Sequence, residues 1–417
     1  MATDDCLHNN SLMISGTRAA YIHIPFCRRR CYYCDFPVAV VGDGGGRLNR
    51  EQAMRRYAES LCREIVLTAR EFPATGLDTV FFGGGTPSLL PIEALDAILA
   101  TLDRSFAITE NAEISIEIDP GTFDLAQLKS YQQLGINRYS LGVQAFQDDL
   151  LAQIGRTHRY DDINRAIAQL RQAGIDNFSL DLISGLPNQT LAQWENTLEN
   201  ALRVSPPHLS CYDLIIEAGT AFERQAEAGK LPLPPEETAA DMYRLTQQRL
   251  TQAGYEHYEI SNYALPGYQC RHNRVYWENQ PYYGFGMGAT SFLGGKRVTR
   301  PRTRREYYAW VETLNHREND LNRVWERDPH DQLLETLMLG LRLQQGVNLD
   351  AIAQQFGSDK AKRIIDVLTP YRQQNWVDLA PQNGQQWGRL RLSDPEGLLV
   401  SNTILTQLFH AFTEEMR

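Results

Sequence analysis

Six short apolar runs alternate with longer helical patterns in the first half of the chain, and this alternation constrains the fold most. The runs are Ala20–Ile24, Thr79–Phe82, Glu113–Ile118, Arg138–Val143, Asn177–Ile183 and His208–Leu214. Parallel strands need a crossover between them, so β–α repeats at a spacing of about 30–40 residues predict an α/β fold with a parallel sheet. Fewer than eight repeats predict an open, partial (β/α)6 barrel rather than a closed one.

The pattern changes twice after the sixth run. The aromatic, glycine-rich region Tyr255–Arg300 predicts a strand-and-loop extension of the sheet. From about Asp331, helical patterns surround two short strand patterns, which predicts a winged-helix-like α+β module. We therefore expect an N-terminal tail at 1–17, a barrel with its extension at 18–310, and a C-terminal domain at 311–417.

The charge balance argues against two classes of partner. The chain has 41 Lys and Arg against 51 Asp and Glu, a net charge of −10. Like charges repel, so nonspecific binding to nucleic acid or anionic lipid is not expected. No stretch approaches the roughly 18 apolar residues of a membrane span. The first residues lack a signal-peptide or transit pattern, so a cytoplasmic location is expected.

Three of the seven cysteines fall close together, at Cys27, Cys31 and Cys34. A zinc site normally needs four protein ligands, often from two C-x-x-C pairs, and no second pair exists. A thioredoxin-type motif would not explain Cys27. Three thiolates can hold three irons of a 4Fe–4S cluster and leave the fourth iron open. The alternative is a structural or accidental grouping. The cysteines follow the first predicted strand, which places them at the carboxyl end of the sheet.

Polar residues follow the other predicted strands. The second run ends in a glycine-rich segment from Phe82 to Ser88, which fits either a tight turn or a backbone that approaches a ligand. Glu117, Gln144 and Asp181 lie near the ends of the next three strands. Each alone could be a cap or turn residue. Together with Arg156 they predict one cavity, in which carboxylates and a carboxamide suit ribose hydroxyls and the arginine suits a carboxylate.

The C-x3-C-x2-C spacing, with the aromatic Tyr33 before the last cysteine, resembles the radical S-adenosylmethionine (SAM) superfamily. This resemblance implies that the open iron of the cluster binds the amino and carboxylate groups of SAM. It also implies that one electron cleaves the SAM sulfonium bond to give a deoxyadenosyl radical. The implied cofactors are a 4Fe–4S cluster on Cys27, Cys31 and Cys34, and SAM.

From about Ala20 to the C-terminus the chain resembles the family of oxygen-independent coproporphyrinogen III dehydrogenases and the related haem chaperones, HemW. This resemblance implies a set of residues that contact SAM. They are Tyr21, Tyr33, Gly84, Gly85, Thr86, Glu117, Gln144, Arg156, Asp181 and Ile215.

Three features favour the haem chaperone branch. The dehydrogenases carry a further cysteine where this chain has Phe36, and a longer segment before the first strand, where this chain has about 20 residues. The segment His272-Asn-Arg-Val-Tyr276-Trp277 resembles the HNxxYW motif of the chaperones. An imidazole can be an axial haem ligand, and aromatic rings offer apolar faces to a macrocycle. One position departs from the pattern of this branch: the related chaperones usually have a histidine where this chain has Thr290.

Other roles for this segment stay open. His272 could merely form a hydrogen bond while Tyr276 and Trp277 pack in the core, and Cys270 is an alternative haem ligand. The basic stretch from Lys296 to Arg305 could bind haem propionates or an acidic donor protein, or form a solvated strand edge. The arginines at 28–30 have similar alternatives.

The resemblance implies a haem chaperone that binds the cluster, SAM and haem and delivers haem to an acceptor protein. The alternative is the dehydrogenase, a radical SAM enzyme that decarboxylates coproporphyrinogen III, and the sequence leaves open whether the chain is an enzyme. The implied partners are haem, a haem-acceptor protein and an electron donor such as flavodoxin or ferredoxin, with a dimer as a further expectation.

The cysteine assignment gives a direct prediction. We expect a triple Cys27/Cys31/Cys34→Ala variant to lose its iron and its charge-transfer absorption, because thiolates are the ligands of such clusters. Iron content and the visible spectrum after anaerobic reconstitution measure this. Retention of both in the triple variant would refute the assignment.

Overall fold

The structure is a computed structural model that describes residues 16–42, 47–74, 76–314, 328–380 and 386–413. Of the predicted tail, residues 1–15 lie outside this described part. No helix among the described residues is long and apolar enough to cross a membrane.

The chain forms two compact units, each built from two stretches of sequence. They are Met1–Pro234 with Pro281–Trp325, and Pro235–Gln280 with Glu326–Arg417. Each unit consists of residues that lie close together in space. The predicted domain boundaries at residues 17 and 310 divide the chain in sequence order, and they stay a prediction.

The strands in chain order are β1 (Ala19–Ile24), β2 (Phe26–Cys27), β3 (Ala39–Val40), β4 (Leu77–Gly84), β5 (Ile108–Ile118), β6 (Arg138–Gln144), β7 (Phe178–Ser184), β8 (His208–Asp213), β9 (Glu256–Glu259), β10 (Asn262–Ala264), β11 (Tyr283–Phe285), β12 (Thr290–Leu293), β13 (Lys296–Thr299), β14 (Val347–Asn348), β15 (Val377–Ala380) and β16 (Arg389–Leu392).

The helices in chain order are α1 (Arg47–Glu71), α2 (Ile92–Phe106), α3 (Leu125–Gln133), α4 (Asp148–Gln153), α5 (Tyr160–Gln172), α6 (Leu191–Val204), α7 (Ala221–Glu227), α8 (Glu236–Gln252), α9 (Arg271–Trp277), α10 (Arg304–Thr313), α11 (Pro329–Gly340), α12 (Leu349–Phe356), α13 (Ser358–Gln373), α14 (Glu396–Leu399) and α15 (Ser401–Thr413). A short 3₁₀ turn covers Pro87–Leu89.

The first unit contains the predicted parallel sheet, with strand order β11-β1-β4-β5-β6-β7-β8. Neighbouring strands in this order run parallel. The six predicted runs are β1 and β4 to β8, so the α/β fold predicted from the sequence is confirmed. β11 comes from the predicted extension and lies beside β1, so part of that extension adds a strand to the β1 edge.

Burial along the strands explains why this sheet forms. β1 and β7 are buried at all but one position each, as parallel strands are when helices cover both faces. The covering helices are amphipathic. α2 buries Leu95, Ile98 and Leu102 at helical spacing.

Parallel alignment puts the carboxyl ends of β1 and β4 to β8 at one edge of the sheet. The chain leaves β1 at this edge and forms β2, which ends at Cys27 and pairs in parallel with β3. The residues between β2 and β3, which we call the cysteine loop (28–38), therefore lie where the sheet presents its carboxyl ends.

The second unit contains an antiparallel pair, β9 and β10, and a separate antiparallel sheet in the order β14-β16-β15. Helices α11, α12, α13 and α15 share an apolar core with this small sheet, in which Leu337, Ile364, Leu390 and Phe412 are fully buried. This arrangement matches the predicted winged-helix-like α+β module.

One expectation for the region Tyr255–Arg300 was wrong in detail. The sequence predicted strands and loops there, but the HNxxYW segment forms helix α9. The segment Arg271–Trp277 contains no glycine or proline. Helical spacing also brings His272 and Tyr276 to the same face, where their side chains are hydrogen-bonded.

Helix α1 offers a matched pair of leucines for testing the core. Leu61 is fully buried, whereas Leu48 is 81% exposed. We expect Leu61→Ala to lower the free energy of unfolding by about 2–5 kcal/mol, because it leaves a cavity in the core. Leu48→Ala should change it by less than about 0.5 kcal/mol. Urea denaturation of both variants measures this, and equal midpoints would contradict the assigned packing.

Candidate functional site

The three clustered cysteines are free thiols at the carboxyl edge of the sheet. Cys27 is buried, while Cys31 and Cys34 are half-buried. The Cys34 N–H donates to the Cys31 carbonyl at 3.3 Å, which folds the cysteine loop into a turn. Burial raises the pKa of Cys27 to about 12, with smaller contributions from Cys34 and Cys31, and burial also raises the pKa of Cys34. Cys27 and Cys34 therefore hold their protons at neutral pH, and a bound metal would displace these protons.

The arrangement of these thiols bears on the kind of metal group that they could hold. Among the residues that the structure describes, no three His, Cys, Asp or Glu side chains converge on a single metal-ion position. A 4Fe–4S cluster does not need such convergence, because each thiolate binds a different iron. Gly85 packs directly against the first cysteine, since a Cβ on Gly85 would lie 2.9 Å from Cys27 Sγ. The glycine therefore keeps the space beside this thiol open.

Arg156 is held beside the cysteine loop by Asp119. Its guanidinium forms a half-buried ion pair with the Asp119 carboxylate and donates to the Gly142 carbonyl at 2.9 Å. The other Nη lies 3.7 Å from Cys31 Sγ. The Thr86 hydroxyl lies 3.1 Å from Asp119 Oδ2 and 3.8 Å from Cys27 Sγ, and its single proton can donate to either. Two predicted site residues, Thr86 and Arg156, are thus linked through an acid that the sequence reasoning did not select.

The side chains of Asp119, Arg156 and Gln144 converge next to Gly142 of β6. A Cβ on Gly142 would lie 2.6 Å from Asp119 Oδ1 and 3.2 Å from both Arg156 Nη2 and Gln144 Nε2. Gly142 is required here because any larger residue would occupy the point of convergence. The structure therefore brings Gln144 and Arg156 together.

Gln144 has an unusual backbone conformation. Its φ is 68°, in the left-handed region that non-glycine residues seldom adopt, and the register between β6 and β7 shifts between Gly142 and Gln144. A register shift of this kind redirects a side chain at a strand end. The left-handed backbone conformation costs on the order of 1 kcal/mol. Strain at this position is typical of functional sites.

Glu117 lies beside the glycine-rich end of β4. The Gly84 N–H donates to Glu117 Oε2 at 2.9 Å. Burial of the carboxyl group raises the pKa of Glu117 to about 8, helped by the nearby acids Asp181 and Asp119. Glu117 is therefore largely protonated at neutral pH and can donate as well as accept a hydrogen bond.

Asp181 lies in the middle of β7, level with Gly142 of β6. Ser140 donates to its carboxylate at 2.7 Å and Ser179 at 3.2 Å. Burial raises the pKa of Asp181 above its ordinary value, although these serine hydrogen bonds oppose the shift. Asp181 is thus a half-buried acid in the same parallel sheet as Glu117.

The remaining predicted SAM contacts are two half-buried tyrosines and one exposed isoleucine. The Tyr21 hydroxyl is hydrogen-bonded to His23 Nδ1 at 3.1 Å. The Tyr33 phenol lies near Cys31 and Arg156, and burial raises its pKa well above the ordinary value. Both tyrosines thus lie at the site. Ile215, which follows β8, is 66% exposed and is the one predicted contact that lies mainly in solvent.

His272 lies in the second unit, on α9. Its side chain is buried, and Nε2 lies 2.8 Å from the Tyr276 hydroxyl. Burial lowers the pKa of His272 to about 3, so the imidazole is neutral. The Trp277 ring is half-buried, with the Arg342 guanidinium 5.7 Å from its centre. A neutral imidazole next to a tyrosine ring has the chemistry of an iron ligand, although here its Nε2 is already hydrogen-bonded.

Sequence reasoning missed Asp119 and His23. Asp119 follows Glu117 by two residues, and His23 follows Tyr21 by two residues on β1. In a strand, residues two apart face the same side, so this spacing was a usable signal. What the spacing could not reveal is that Asp119 contacts Arg156 and Thr86, which lie far from it in sequence.

The fold and the cysteine loop define the class of this protein. Residues 21–201 match the radical SAM superfamily, and residues 328–398 match the HemN C-terminal domain. Coproporphyrinogen III oxidase (HemN) from Escherichia coli, a radical SAM enzyme, has the same fold. Its TM-score is 0.77 at 22% identity, covering 97% of this chain and 93% of that chain. The chain thus has a radical SAM fold with a HemN-type C-terminal domain.

Curated relatives place it more narrowly. The heme chaperone HemW of a Synechocystis species is 50% identical over 409 residues, which cover 95% of this chain and 97% of that protein. The heme chaperone HemW of Bacillus subtilis is 35% identical over 354 residues, or 85% of this chain and 89% of that protein. This chain belongs to the HemW family.

The half-buried acid Glu117 on β5 gives a pH-dependent prediction. The pKa of Glu117 is about 8 in the folded protein and near 4.5 when exposed. Between these values the folded protein holds a proton that the unfolded chain has released. The free energy of unfolding therefore falls as pH rises from about 5 to 8, by up to about 1.4 kcal/mol per pH unit.

Glu117→Gln should remove this contribution, because a neutral amide replaces the protonated acid. Thermal unfolding from pH 5 to 9 measures the effect. We expect the variant to gain stability over the natural protein as pH rises. Glu110→Gln, an exposed position on the same strand, is the matched control. A parallel pH profile for Glu117→Gln and the natural protein would contradict the assigned protonation.

Proposed function

We propose that this protein is a haem chaperone, which binds a 4Fe–4S cluster, SAM and haem and delivers the haem to an acceptor protein. The observation that carries this proposal is its similarity, over nearly the full length, to a protein named heme chaperone HemW. The cysteine loop, the polar strand ends and the HNxxYW helix supply residues with suitable chemistry for each ligand.

The first unit would hold the cluster and SAM. Cys27, Cys31 and Cys34 would each bind one iron after losing a proton. When bound, a reduced cluster can supply one electron to the SAM sulfonium. Arg156 would hold the SAM carboxylate, since a guanidinium is the preferred partner of that group. The backbone of Gly84 and Gly85 allows close approach of a small polar group.

Glu117 and Asp181 would bind the ribose hydroxyls. The Gly84 N–H already occupies Glu117 Oε2, which leaves Oε1 to hold the proton and donate it in a hydrogen bond. Asp181 keeps acceptor capacity beyond its serine partners, because a carboxylate has four lone-pair positions. Gln144, turned by its left-handed backbone, would add a carboxamide to the same group of contacts.

The second unit would hold haem through His272. The neutral imidazole could bind iron only after Nε2 exchanges its bond to the Tyr276 hydroxyl for one to the metal. The His272 side chain is also buried, so haem binding requires local opening around α9. Local openings of this kind are common in proteins. The Tyr276 and Trp277 rings would then contact the macrocycle.

The remaining partners follow from charge and redox chemistry. Arg28, Arg29 and Arg30 are exposed on the cysteine loop. In a chain with a net charge of −10, this local positive surface favours an acidic electron donor such as flavodoxin or ferredoxin. We place the protein in the cytoplasm, where thiols stay reduced. We further propose that haem transfer involves an acceptor protein and that the chain forms a dimer.

Haem binding can be tested with two variants on α9. We expect His272→Ala to weaken haem binding by more than about tenfold, which corresponds to the loss of about 1.4 kcal/mol. Tyr276→Phe removes the competing hydroxyl and keeps the apolar ring, so it should bind haem at least as tightly as the natural protein. Haem titration of anaerobically reconstituted protein measures both.

These two variants distinguish the two roles considered for His272, which are a haem-iron ligand and a hydrogen-bonding residue of the core. If the histidine served only as a hydrogen-bonding residue of the core, both variants would break the same bond and behave alike. A coproporphyrinogen assay on the same samples tests the enzyme alternative. Conversion to protoporphyrinogen at a useful rate would overturn the chaperone proposal.

A further inference from the structure

The basic stretch from Lys296 to Arg305 has specific partners inside the first unit. The Arg297 guanidinium lies 4.4 Å from the centre of the Phe292 ring, and Arg300 Nε donates to Glu64 at 2.8 Å. Arg302 Nη2 donates to the carbonyl of Asp35, in the cysteine loop, at 2.8 Å. This stretch is therefore more than a solvated strand edge.

The segment 286–302 is anchored on a buried acid of α1. Glu64 is fully buried and pairs with Arg300, which is nearly as buried. The same carboxylate accepts from the Gly286 N–H at 2.9 Å and from the Tyr307 hydroxyl at 2.7 Å. A buried ion pair with these additional hydrogen bonds fixes the segment strongly, because breaking the pair would leave an unpaired charge in the interior.

The anchored segment touches the cysteine loop at two points. Gly288 adopts φ +73°, and a Cβ there would overlap Pro37. Its N–H donates to the Pro301 carbonyl at 3.0 Å, which joins the Gly288 turn to the residue before Arg302. The contact at Pro37 and the hydrogen bond at Asp35 thus come from one rigid piece of backbone.

Every carbonyl from Cys34 to Pro37 accepts a hydrogen bond. Arg30 donates to the Cys34 carbonyl at 3.1 Å and the Phe36 carbonyl at 3.3 Å, and Arg302 to that of Asp35. His23 Nε2 lies 3.0 Å from the Pro37 carbonyl. The backbone that follows Cys34 is therefore fixed at four consecutive residues.

We propose that the Gly288 turn and Arg302 form an outer brace that sets the position of Cys34. Arg302 is a positioning residue, since it acts through the Asp35 carbonyl rather than on a ligand. The brace is a property of the chain itself. Its effect on a 4Fe–4S cluster rests on the proposed function, because a displaced thiolate would hold its iron less tightly and change the exposure of the cluster.

The first test uses the protein without a cluster. We expect Arg302→Ala to raise the rate of Cys34 alkylation by iodoacetamide about tenfold, since a hydrogen bond from a charged donor is lost. Arg302→Lys should restore part of the protection, because an ammonium can donate to the same carbonyl. Arg305→Ala removes a nearby exposed arginine and should have no effect. Alkylation of Cys62 on α1, read in the same samples by mass spectrometry, should stay constant.

A pair of glycine variants tests the second contact. Gly288→Ala and Gly294→Ala both place alanine in a left-handed conformation, at φ +73° and φ +55°. Only the first would overlap Pro37, since nothing lies within 4 Å of a Cβ on Gly294. We expect Gly288→Ala to raise the Cys34 alkylation rate at least as much as Arg302→Ala, and Gly294→Ala to leave it unchanged.

The cluster is tested separately. In anaerobically reconstituted protein, Arg302→Ala and Gly288→Ala should lose iron to a chelator several times faster than the natural protein, and the reduction potential of the cluster should shift. If the natural protein retains no iron, the proposed function fails, while the alkylation comparison still tests the brace. Unchanged Cys34 alkylation in both Arg302→Ala and Gly288→Ala would overturn the brace.

Discussion

The parallel alignment of β1 and β4 to β8 is the constraint on which the rest of this structure depends. Parallel strands end at the same edge, so one edge receives the chain segments that follow every strand. Here that edge carries the cysteine loop after β1, the glycines of β4, Glu117 near the end of β5 with Asp119 just after it, and Gln144 from β6. The chemistry of the site is thus a consequence of strand direction.

Half-buried charged and acidic groups give this edge its electrostatic character. Arg156 and Asp119 satisfy each other, and Arg156 also reaches toward Cys31. Glu117 has no such cation, and burial raises its pKa to about 8. The two neighbouring acids therefore differ in environment: Asp119 has a cationic partner, whereas Glu117 is largely protonated at neutral pH. Acids with a strongly shifted pKa are typical of functional sites.

Both units bury groups that are costly to bury without a partner. Glu64 in the first unit is stabilised by an arginine, a tyrosine and a backbone N–H. His272 in the second unit avoids the cost by staying neutral. The first solution fixes a segment of the chain, and the second leaves a neutral ring that is hydrogen-bonded to Tyr276. A fixed segment suits the support of a cysteine loop.

The sequence by itself determined the parallel α/β fold, the clustered cysteines and the polar strand ends. These depend on local periodicity and on the rule that parallel strands share an edge. It did not determine that Asp119 joins Thr86 to Arg156, that α9 is helical, or that Arg302 bonds to the cysteine loop. Arg302 and Asp35 are far apart in sequence, and no local pattern encodes such a pairing. Only tertiary structure decided these contacts, because burial and hydrogen bonding are settled when distant segments pack together.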